Sequence, residues 1–142
     1  MRLTLDVEGE GTQPDVAGGG GALVAFMSFA LARGLGAQHP FIALAERLQR
    51  EFHVRLGPLT TFYERDAEDA EDEERLEKAW QQAGRLRETV QAIADVLARD
   101  EESRALVRRA GAGDLALEIA GLLPALGAAA AGGRRVRLVY TL

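Results

Sequence analysis

The chain has 142 residues, 47% hydrophobic and 27% charged, the proportions of one globular domain and not of a disordered segment. It has no cysteine, which excludes disulfides and thiolate chemistry and leaves the core alone to hold the fold. The net charge of -5 is concentrated: residues 64–77 hold nine acids against two arginines, a local -7 that leaves +2 elsewhere, so nucleic-acid binding, which needs a basic surface for counterion release, is not expected.

Leu3, Leu5 and Val7 alternate with Thr4, Asp6 and Glu8, the period of a half-buried strand; Val136, Leu138, Tyr140 and Leu142 alternate with Arg137, Val139 and Thr141 at the other end. Antiparallel pairing of these strands sets Asp6 and Glu8 opposite Arg135 and Arg137, each opposed pair contributing about 0.2–1 kcal/mol. Pro14 to Gly21 reads as a loop. Ala22 to Arg33 is apolar nearly all round, which predicts a buried helix ending at Gly34 or Gly36. Its uncharged run is too short to span a bilayer, and the acids Asp6, Glu8, Glu10 and Asp15 stand where a signal peptide is basic, so a cytoplasmic protein with no membrane contact is expected.

Pro40 suits the first turn of a second helix, with Phe41, Leu44, Ala45, Leu48 and Phe52 on one face. Phe52, Val54 and Leu56 alternate before the Gly57-Pro58 breaker and predict a third strand. Leu76, Ala79, Ala83, Leu86, Val90, Ile93 and Leu97 recur at alternating three- and four-residue steps, the a/d seam of one continuous helix over 76–97. Thr61 with Glu64 has capping-box spacing, so the acidic segment either extends that helix to nearly forty residues or forms frayed first turns. The seam serves either as core stripe or as partner interface. Asp100 and Ser103 offer N-caps for a short helix reaching Arg109, and Asp114 for a last helix to about Ala131, which Pro124 should kink or divide before Gly132-Gly133 releases the final strand.

Few residues carry chemistry. The Gly18 to Gly21 run lies between strand and helix, where phosphate loops occur, but no Lys-Ser/Thr follows and Leu23 replaces the third glycine of a dinucleotide fingerprint. His39 and His53 are the only histidines, which rules out a three-histidine metal site, and neither Ser28 nor Ser103 lies in a nucleophile elbow. Glu73-Glu74-Arg75-Leu76-Glu77 resembles the EExxE half of the magnesium motif of the MazG-like all-helical nucleotide pyrophosphatases. The resemblance covers five residues and implies a divalent cation at Glu73, Glu74 and Glu77, but the downstream ExxD that completes the cage in that family is missing.

The expected fold is therefore a single α+β domain over residues 1–142, predominantly α-helical. Its small antiparallel sheet, formed by the N- and C-terminal strands, packs on helices that include one long amphipathic helix. Two strands alone make a poor sheet, so either the third strand or a second copy completes it, and a homodimer or other homo-oligomer is expected. No catalytic residue and no cofactor are assigned. The expected function is a non-catalytic protein-interaction or regulatory module: Glu71, Asp72, Glu73 and Glu74 steer a basic protein partner and Trp80 anchors it. The alternative is a magnesium- or manganese-dependent nucleotide or phosphoester hydrolase using Glu73, Glu74 and Glu77.

Overall fold

The structure, a computed structural model, describes residues 2–11, 16–31 and 39–142. In chain order they form β1 (Arg2–Val7), α1 (Gly21–Leu31) entered through a 3-10 turn at Ala17–Gly20, α2 (Pro40–Arg50), β2 (Phe62–Glu64), α3 (Ala70–Lys78), β3 (Gln81–Gln82), α4 (Ala83–Arg99), α5 (Glu101–Arg109), α6 (Leu115–Ala131) and β4 (Arg135–Thr141). The fold is α+β and predominantly helical, as the patterning predicts.

β4 is the centre of the sheet. β1 pairs with it antiparallel, Leu5 opposite Leu138 and Asp6 opposite Arg137, and the Glu8 amide continues the ladder to the Arg135 carbonyl at 2.9 Å. The expected charge match is made: Arg137 Nε donates to Asp6 Oδ2 at 3.1 Å and Arg135 Nε to Glu8 Oε2 at 2.9 Å. The other edge of β4 is shared by β3, antiparallel at Val136 and Arg135, and β2, parallel from Leu138 to Tyr140. The sheet is thus mixed and not purely antiparallel. The chain leaves along β2, turns back through α3 and returns as β3, so two short strands meet one edge in opposite directions. Because four strands from one chain build the sheet, completion by a second copy is no longer a reason to expect a homodimer.

Leu3, Leu5, Val7, Val136 and Leu138 turn one face of the sheet into a core shared with α1, α2, α4 and α6, where each fully buried Leu or Phe contributes about 1.5–3 kcal/mol. α1 buries Leu23, Val24, Phe26, Met27 and Ala30; the glycines expected to end it lie outside the described residues. α2 starts as expected at Pro40, with His39 as N-cap, its Nδ1 accepting from the Phe41 amide at 3.1 Å. Asp100 caps α5 through the Ser103 amide, and the Arg47 guanidinium grips both its oxygens at 2.8 and 3.0 Å.

Four expectations are corrected. Residues 52–56 are not a strand: α2 ends at Arg50, His53 takes a left-handed φ of 55°, and the Val54 amide wraps back to the Leu48 carbonyl at 2.9 Å. Thr61 caps no helix; its hydroxyl bonds to the Gly57 carbonyl and the next residues form β2. The 76–97 seam is two helices, α3 ending at Lys78 and α4 beginning at Ala83, with β3 between them. The apolar spacing survives this break because its two parts bury against different surfaces: Leu86, Val90 and Ile93 are fully buried in the main core, whereas Leu76 is only half-buried on the other side of the sheet. Pro124 does not divide α6, which runs on for 17 residues with the ring on its exposed side.

Candidate functional site

The excursion from β2 to β3 lies across the sheet face that the core helices leave open. Asp6 is its fastening point: Arg65 Nη2 donates to Oδ1 at 2.7 Å while Arg137 holds Oδ2. Arg137 also donates through Nη1 to the Leu76 carbonyl at 3.1 Å and stacks over the Trp80 ring at 4.4 Å. Under this cover Thr4, Ala79 and Val139 are buried, although none of them belongs to the main core. Trp80 is therefore half-buried as part of the tether.

Beyond the tether, α3 has no buried residue. Asp69 caps it through the Asp72 amide at 2.9 Å, and Glu71, Asp72 and Glu73 fill the first turn, where the positive end of the helix favours them. Glu71–Arg75 at 2.8 Å and Glu74–Lys78 at 2.7 Å are exposed i,i+4 pairs, each worth a few tenths of a kcal/mol. Glu71, Glu73, Glu74 and Glu77 all project into solvent and Asp72 is partly covered. The adjoining cavity of about 490 Å³ has Ser28 and Tyr140 in its lining beside the acids Glu64, Asp66, Glu68 and Asp72, and the EExxE carboxylates are not among its walls. Among the described residues no cluster of His, Asp or Glu is arranged to hold a metal ion.

α6 presents a second surface that the patterning did not flag. Leu115, Glu118, Ile119, Leu122, Leu126 and Ala129 face inward, and the exposed positions from Ala116 to Ala131 are all Ala, Gly, Leu or Pro, with Leu117 59% exposed. The only charged side chain of this helix is the one turned into the protein. A helix apolar on every side belongs in an interior, yet one whole side of α6 meets water. The signal was in the sequence: from residue 115 to 131 there is a single polar side chain.

That side chain, Glu118, is 1% exposed and points at the start of α1, where its Oε1 accepts from the Ala22 amide at 3.2 Å. Oε2 has no hydrogen-bond partner among the described residues. Burial pushes the carboxyl up from its ordinary value, Asp114 adds to this, and the Leu23 and Ala22 amides oppose it. The glycine run packs beside it. A Cβ on Gly18 would sit 3.5 Å from Glu118 Cγ, and one on Gly20, whose φ is +81°, would come within 2.5 Å of Leu3 Cβ. The place where a phosphate would sit in a nucleotide loop is filled by the protein's own carboxylate. Ser28 closes onto the Val24 carbonyl at 2.8 Å, and His39 stacks on Phe29 at 3.7 Å while capping α2, so both serve structure. No helix among the described residues is long and apolar enough to cross a membrane. No protein family, curated protein or solved structure matches this chain.

Proposed function

We propose that the protein is a non-catalytic interaction module that self-associates through the outward side of α6 and offers its acidic arm, residues 64–77, to a basic partner. The uncharged surface of α6 carries this reading. At about 1.5 Å per residue the helix is roughly 25 Å long, and its outward residues are mostly alanine and glycine, so two such helices can approach closely without opposing charges. A two-fold contact in which the same stripe meets itself satisfies both surfaces at once. The hydrolase alternative has less support, because Glu73, Glu74 and Glu77 project from a surface helix and do not line the adjoining cavity.

Sedimentation velocity over a range of concentrations is the test. A dimer is expected whose formation is insensitive to salt, and Ala120→Arg, at an exposed position where arginine is a good helix former, should give a monomer with an unchanged thermal midpoint. Wild-type protein that stays monomeric at the highest concentration refutes self-association through α6.

A further inference from the structure

A cleft of about 650 Å³ runs between the 52–58 segment and the first half of α4, lined by His53, Arg55, Arg85 and Glu88 over an apolar floor of Phe52 and Ala92. Its walls are tied to the core by burial and hydrogen bonds. Val54 and Leu56 are buried, which turns His53 and Arg55 outward, and the buried Thr89 hydroxyl donates to the Arg55 carbonyl at 2.7 Å. Arg85 stands one turn before Thr89 on the same side of α4, so the two arginines are set on backbone pinned together. The Gly57-Pro58 rim is held by Gln81, whose Nε2 donates to the Pro58 carbonyl at 2.8 Å. Neither Arg55 nor Arg85 makes an ion pair or hydrogen bond through its guanidinium among the described residues, whereas Arg47, Arg65, Arg75, Arg104 and Arg137 are all paired. The first turn of α4 carries no acid to offset them.

We infer that this cleft binds a small phosphate ester, its phosphate held between the guanidiniums of Arg55 and Arg85. Two guanidinium forks match the several oxygens and double charge of a phosphate monoester better than a single-charge carboxylate. The volume lies in the range of small-ligand sites and exceeds what a bare phosphate fills, which leaves the Phe52 and Ala92 floor for the organic part. Glu88 is the one opposing charge in the lining, and it weakens the attraction to an anion.

Titration of the full chain with inorganic phosphate and with ribose 5-phosphate, followed by backbone amide NMR against chloride at matched ionic strength, tests the site. Saturable shifts confined to residues 53–58 and 85–89 are expected, with a Kd on the order of 1 mM for inorganic phosphate and lower for the ester. Arg55→Gln and Arg85→Gln should each weaken binding by about fivefold or more, Glu88→Gln should tighten it about twofold, and Arg87→Gln, outside the lining, should leave it unchanged. Shifts that do not saturate, an ester that binds more weakly than the free ion, or equal binding by the Arg55→Gln/Arg85→Gln pair overturns the assignment.

Discussion

Glu118 and Asp100 are two carboxylates with opposite pH logic, set by their surroundings. Burial makes the folded chain hold the Glu118 proton more tightly than the unfolded chain does, so this residue stabilises the fold below the unfolded value of about 4.3 and progressively less as pH rises through its folded value. Arg47 and then Ser103 hold the Asp100 carboxyl well below the usual carboxylate range, so its contribution is present above an unfolded value of about 3.9 and is lost as pH falls. Glu118→Gln removes the first dependence and keeps an oxygen for the Ala22 amide. Urea midpoints at pH 5 and pH 8 should therefore fall with pH more steeply for the wild type than for the variant. Equal slopes would mean that the Glu118 carboxyl titrates alike in the folded and unfolded chains.

At the scale of elements, the broken seam separates two environments that one periodic pattern had joined. Ile93→Ala, which empties a fully buried site in α4, should cost about 2–5 kcal/mol in denaturant unfolding, whereas Leu76→Ala, half-buried at the end of α3, should cost about 1 kcal/mol. Comparable losses would instead indicate one helix with one core-facing stripe. The patterns of β1, β4, α1, α2 and α5 were legible because period, caps and charge agreed: Asp6 and Glu8 face Arg137 and Arg135 as expected, and Asp100 is the N-cap. What local pattern could not reveal was decided by pairing at a distance. Gln81-Gln82 has nothing strand-like in its own sequence and is extended because the early edge of β4 needs a partner; Phe62–Glu64 likewise borrows its ladder from Leu138 to Tyr140. Local pattern likewise gives no sign that Trp80 packs under Arg137, which lies across the sheet.

Across the whole molecule the sheet separates two surfaces of unlike character: α6 packs on the core side and the arm lies across the opposite face, pinned at Asp6. The proposed self-association and the proposed capture of a basic partner are then independent. Reversing charge at Glu71, Asp72, Glu73 and Glu74 should abolish fluorescence-detected binding of an arginine-rich peptide, an attraction that fades as salt shortens the screening length to about 10 Å at 0.1 M, and should leave the sedimentation coefficient unchanged. Peptide binding that survives the reversal removes the arm from the proposal.

β4 is the strand every other strand pairs with, and its Arg137 is 131 positions from the Asp6 it holds. At synthesis rates of about 5–20 residues per second, β1 emerges from the ribosome roughly 7 to 26 s ahead of its mate. Helices form in about a microsecond once made, so α1 to α5 can collapse on one another before β4 is synthesised. Until β4 is made, Leu3, Leu5 and Val7 lack the strand that β1 pairs with, and the nascent chain carries them as an apolar, unzipped edge.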